Sequence, residues 1–173
     1  GGIVLAPKII DFIYGQSYIP SVLTFQILII MAGIIFLYTP FYQILFVFNR
    51  QKRLFWTVLS GAIINVILNS ILIPKFSLYG AAVATVITQL LIFFLLFKFT
   101  LKFTTVKPLN LKVLLSFIGV IFSSIPMYFI ISQPQIYRLH ILFSISIGVL
   151  SYFIVLFILK YMAKLFNISY GKI

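Results

Sequence analysis

Five stretches of this chain carry no formally charged residue for at least 21 positions: Phe12–Asn49, Leu54–Pro74, Phe76–Phe97, Val113–Tyr137 and Leu139–Leu159. A helix of the shortest of these lengths rises roughly 31 Å, the thickness of a bilayer's hydrocarbon core. The composition agrees, at 63% hydrophobic and 8% charged, with a mean hydropathy of +1.23. A soluble domain is about half apolar and a quarter charged. This chain has too little polar surface to cover a fold in water. It reads as an integral membrane protein, an all-α polytopic bundle of transmembrane helices.

The breakers between the runs place the helices. Gly1–Phe12 reads as a spanning helix cut in its middle, because the chain opens without a Met or the basic start of a signal peptide. The sequence is therefore expected to be the C-terminal part of a longer protein. Five complete spans follow, over residues 21–48, 54–73, 80–97, 111–131 and 140–160. Pro40 and Pro126 are expected to kink the first and fourth. Loops are expected over Tyr14–Pro20, Asn49–Arg53, Ile73–Gly80, Lys98–Lys112 and Ser132–Leu139. The Lys98–Lys112 connection, with Phe97, Phe99 and Phe103 at its start, is expected to lie partly in the membrane interface. The whole chain, residues 1–173, is read as one membrane domain.

Charge sets an orientation on this frame. The Arg50–Arg53 loop, the Lys98–Lys112 loop and the tail from Lys160 fall on one side with ten basic residues, and Lys8, Lys75 and Arg138 fall on the other. Basic residues favour the cytoplasmic side, so a cytoplasmic C-terminus in the cell (plasma) membrane is expected. The formal net charge of +12 does not argue for nucleic acid. The cations sit at the ends of apolar runs and form no soluble patch. Such clusters attract anionic membrane lipids as a general property.

Few residues carry chemistry. Asp11 is the sole acid and lies three positions from Lys8; a surface ion pair is preferred to a proton relay. His140 is the sole histidine, at an expected helix end, and no second ligand is near it in sequence. The chain has no cysteine, which removes disulfides and thiolate chemistry. No nucleotide-binding loop, HExxH or nucleophile–base pair is present, so no enzyme, cofactor or metal is implied.

The informative polar residues are amides. Asn65 and Asn69 lie four apart and share one helix face at membrane depth. They serve either as interhelical hydrogen-bonding groups, the preferred reading, or as the lining of a polar cavity. Gln89 extends that polar content on the next helix. There Gly80, Ala84 and Thr88 repeat every four residues, a small-xxx-small stripe that permits close backbone approach.

The run from Asn65 to Thr85, with Asn65, Asn69, Pro74, Gly80, Ala81, Ala84 and Thr85 at its marked positions, resembles the polysaccharide-biosynthesis transporters. These are O-antigen-type flippases of the MATE-like superfamily, whose second half reads "N…LN…LIP…G…GAA.AT". The segment Ala6-Pro7-Lys8-Ile9-Ile10 through Tyr14-Gly15-Gln16-Ser17-Tyr18 is similar to the family's "AP.II…(F/Y)G..Y". The resemblance covers about residues 1–98. Ser77 departs from it where the family often has glycine, and reads as a minor loop difference. The resemblance implies two pseudo-repeated six-helix lobes, of which this chain would be most of the C-terminal one. It implies translocation of an undecaprenyl- or dolichyl-linked oligosaccharide by alternating access, alongside glycan-assembly partners. Related flippases hold the pyrophosphate with cationic cavity residues, which would lie largely in the other lobe. The competing readings are a cation-coupled multidrug exporter of the same superfamily, a membrane-embedded lipid-sugar enzyme, and a structural membrane subunit.

Overall fold

The computed structural model describes the backbone over residues 1–105, 111–137 and 140–165, and side chains over 1–105, 118–136, 140–159 and 161. Lys107, Arg138 and Lys172 lie outside the described residues, as do the side chains of Lys112, Lys160 and Lys164. The described chain is helical, with no strand. It runs α1 (Gly2–Tyr14), a 3₁₀ helix (Gln16–Ser21), α2 (Val22–Val47), α3 (Gln51–Phe103), α4 (Leu111–Ser132), α5 (Pro134–Tyr137) and α6 (Ile141–Leu165). Large apolar side chains face outward throughout; Phe36 is 79% exposed and Phe157 73%. Such a surface suits the hydrocarbon of a bilayer, as expected of a membrane-embedded protein.

Three helical stretches among the described residues are long and apolar enough to cross a bilayer: Gln16–Val47, Gln51–Phe103 and Ile141–Leu159. Five complete spans were expected, and the difference has two sources. The runs over 54–73 and 80–97 both lie within the Gln51–Phe103 stretch, as two arms that meet at a sharp reversal at Ser77. The fully described part of α4, Ile118–Ser132, is a shorter apolar segment.

Several expected loops are helical. The Tyr14–Pro20 segment winds mostly into the 3₁₀ turn. Lys52 and Arg53 lie on α3, which starts at Gln51. The Lys98–Lys112 connection begins inside α3, which continues through Phe99 and Phe103 to a cap at Thr104. Part of the Ser132–Leu139 turn is α5. Helices α2 and α4 continue through Pro40 and Pro126.

Contacts divide the chain into two units, Gly1–Ile19 with Leu109–Ile173, and Pro20–Pro108. In the first, Leu5, Ala6 and Ile10 of α1, Ile131 of α4 and Ile141 of α6 are buried. Gly148 of α6 lies against the Ile131 side chain. The Ser144 hydroxyl donates to the Ile136 carbonyl at 2.9 Å. The His140 ring meets Phe12 edge-on at 5.5 Å, so the histidine packs against an aromatic ring at the start of α6.

The second unit is α2 packed on α3. Their joint is short. Asn49 takes φ 55°, and the Arg50 N–H closes back on the Leu45 carbonyl at 2.9 Å. This is a left-handed helix stop, which asparagine tolerates better than most residues.

Helix α3 breaks once, at Ser77 (φ 51°, ψ −128°), and its two arms run back along each other. Gly61 faces Ile92 and Thr88, and Gly80 faces the Leu72 backbone. Leu54 and Leu96 from the two arms form a buried cluster with Leu45 of α2, flanked by Tyr38, Phe41 and Ile92. The Tyr79 hydroxyl ties the reversal to the Pro20 carbonyl at 2.7 Å.

Ser77 is therefore the residue that reverses the chain, and not a minor loop position. Its dihedral pair is one that glycine adopts freely and a residue with a Cβ adopts under strain. Ser77→Gly is expected to stabilise the purified protein by about 1 kcal/mol, the strain released exceeding the entropy that glycine adds to the unfolded chain. Denaturant titration of helicity in detergent measures this. A lower midpoint for the glycine variant would show that the serine is not strained.

Candidate functional site

The polar residues of unit 2 join into a ladder between the arms of α3. The Asn69 Nδ2 donates to Asn65 Oδ1 at 2.9 Å, one turn back on the same face. The Asn65 Nδ2 then crosses to the other arm and donates to Thr88 Oγ1 at 3.2 Å. The Thr88 hydroxyl donates in turn to the Ala84 carbonyl at 2.9 Å. The Asn65 amide makes the crossing between the arms, and the relay ends on backbone.

The small residues make this crossing possible. Gly61, Gly80, Ala84 and Thr88 are buried where the arms meet. A Cβ on Gly61 would come within 2.8 Å of Ile92 Cδ1. Without bulk at these positions, the backbones approach closely enough for an asparagine to reach a threonine. Ala82 is also buried, at 3% exposure, and was not singled out from sequence. Ala81 is half-buried, Pro74 is exposed, and the Thr85 hydroxyl turns back to the Ala81 carbonyl at 2.8 Å. Those three make no side-chain hydrogen bond across the arms.

A second bond carries the polar content to α2, where the Tyr38 hydroxyl donates to Gln89 Oε1 at 2.9 Å. Thr88 and Gln89 are adjacent, so one faces the first arm of α3 and the other faces α2. Tyr38 was missed in the sequence. A single tyrosine in an aromatic-rich helix gives no signal of its own, and its partner lies 51 positions away.

The ladder has one open end. Asn69 Oδ1 is a buried acceptor with no partner among the described residues. Such an atom normally costs about 1–3 kcal/mol, so its retention invites a functional account. The chemistry available is neutral: amide and hydroxyl groups that bind hydroxyls and amides. Among the described residues no His, Cys, Asp and Glu cluster could hold a metal. An apolar concavity on α6, lined by Leu150, Phe153 and Phe157, comes entirely from one helix.

Comparison with protein-family models, with curated proteins and with solved structures gives no match to this chain.

Proposed function

We propose that this chain is part of a transporter, a flippase that moves lipid-linked oligosaccharide or polysaccharide precursors across the cell membrane by alternating access. The observation that carries the reading is the buried, unpartnered acceptor at Asn69, at the end of a neutral hydrogen-bonding ladder inside an apolar protein. A glycan headgroup is rich in hydroxyl donors, which are what an orphan carbonyl oxygen accepts. The run from Asn65 to Thr85 supports the same reading through its resemblance to the O-antigen-type flippases. Transport needs no covalent step.

In this reading each arm of α3 is a separate crossing, and with α2, α4 and α6 the chain makes five complete crossings. The basic end of the α3 hairpin and the C-terminus are then cytoplasmic. The polyprenyl carrier's pyrophosphate would be held by cations of the other lobe, with this lobe contributing neutral contacts to the sugar.

The experiment is a chromosomal Asn69→Leu replacement beside a clean deletion. Both are expected to leave lipid-linked glycan on the cytoplasmic leaflet, scored by the access of an impermeant lectin or glycosidase to inside-out and right-side-out vesicles. Normal surface glycan in the deletion strain would eliminate the flippase reading. Loss in the deletion with full transport by Asn69→Leu would remove Asn69 from the site.

A further inference from the structure

The start of α3 carries an arrangement that the ladder does not use. Three cations occupy its first turn, Arg50 at the cap followed by Lys52 and Arg53, and no acid accompanies them. The helix N-terminus is itself the positive end of the peptide dipole, so this placement is locally unfavourable. Nor does a carboxylate compensate from elsewhere in unit 2, because the only acidic residue of the whole chain is Asp11.

The two arginines converge on the far end of the same hairpin. Arg53 lies 4.7 Å from the centroid of the Phe103 ring and 5.8 Å from that of Phe99, and Arg50 lies 5.6 Å from Phe103. The Lys102 ammonium is 5.5 Å from the same Phe103 ring. A guanidinium that stacks on a ring uses its flat face and keeps its N–H edge free for an oxyanion. Arg50, Arg53 and Lys102 are all exposed, so those donors are open to a ligand.

We propose that Arg50 and Arg53, stacked on Phe103, form a binding site for the phosphate group of an anionic lipid. A phosphate offers the oxygens that arginine forks engage two at a time. The neighbouring surface selects a lipid over a soluble phosphate. Phe55 and Trp56, 60% and 55% exposed, flank the cations on α3 and offer an acyl chain a place to lie. A tryptophan beside basic residues is also the usual furniture of a membrane interface. A signal for orientation alone requires positive charge only; it does not require guanidiniums gathered on one ring. The inference does not depend on what the protein transports.

Trp56 is the only tryptophan, and it lies one helical turn from Arg53, so its fluorescence reports on lipid at this place. The test reconstitutes the whole chain in phosphatidylcholine nanodiscs holding a few per cent of dibrominated phosphatidic acid or of dibrominated phosphatidylcholine. Saturable quenching by the brominated phosphatidic acid is expected well above that by the zwitterionic lipid. R50K/R53K keeps the charge and the topology signal but removes the planar forks. It is expected to weaken the quenching isotherm about tenfold, as the loss of charge-assisted hydrogen bonds does. K75Q, at the opposite end of the hairpin, is expected to leave it unchanged. Equal quenching by the two lipids, or an unchanged isotherm in R50K/R53K with native helicity, would overturn the proposal. Relief of quenching by millimolar inorganic phosphate would also overturn it, by assigning the site to a soluble anion.

Discussion

Gly80→Ala is expected to open the α3 hairpin and to destabilise the protein by on the order of 3 kcal/mol. Gly80 is buried, and a methyl group added there meets the Leu72 carbonyl carbon at 2.5 Å and the Ile73 nitrogen at 3.0 Å, as well as the Leu72 carbonyl oxygen. Those atoms are backbone of the opposing arm and cannot rotate away as a side chain would. The arms must separate, and separation lengthens every contact beyond the reversal, including the Asn65–Thr88 bond. In a bilayer this loss is not offset by hydrophobic burial, since lipid tails solvate apolar side chains as well as protein does.

The absence of cysteine supplies a clean measurement. Gly61→Cys with Ile92→Cys places two thiols where the arms meet, and removing the isoleucine relieves the contact that a Cβ at Gly61 would make. Oxidative cross-linking is expected to be fast in this background and much slower when Gly80→Ala is added. Equal rates would show that the reversal tolerates the methyl group.

The second large effect separates two residues that look equivalent in the sequence. Asn65 accepts from Asn69 and donates to Thr88, so Asn65→Ala removes two hydrogen bonds. At the values measured between membrane helices, the loss is about 1–2 kcal/mol. Asn69 makes one of those bonds and keeps a buried oxygen without a partner. Asn69→Leu removes that unsatisfied oxygen but strips Asn65 Oδ1 of its donor, so the net cost is that of one hydrogen bond, about 0.6 kcal/mol. Unfolding of each variant in detergent orders them. A cost for Asn69→Leu as large as that for Asn65→Ala would mean that Asn69 is a structural member of the ladder, and its open acceptor would lose its functional meaning. A small cost combined with lost transport is the outcome expected of a residue kept for a ligand.

Much of the local structure was legible. Helices follow from long apolar runs because a backbone in lipid must satisfy its own hydrogen bonds. The reversal near Gly80 was marked by Pro74 and by the glycine itself, and the i, i+4 spacing of Asn65 and Asn69 put both amides on one face. Helix ends were less legible. Cations read as loop residues, yet Lys52, Arg53 and Lys102 lie on α3, because their long side chains reach polar surroundings from a helical backbone. Ser77 looked incidental, since its meaning lies in a dihedral angle and not in its side chain.

The sequence by itself determined the solvent of this protein, its helical content and the small-residue stripe along the second arm of α3. These depend on composition and on neighbours within a few positions, where spacing alone fixes geometry. The tertiary structure decided which residues those local features serve. It joined Asn65 to Thr88, Tyr38 to Gln89, and Arg53 to Phe103. Each of these pairs spans 23 or more positions along the chain. Their meeting depends on one strained reversal at Ser77 and one left-handed stop at Asn49. No periodicity encodes such meetings, because two turns set the register of whole helices and the side chains then meet according to that register.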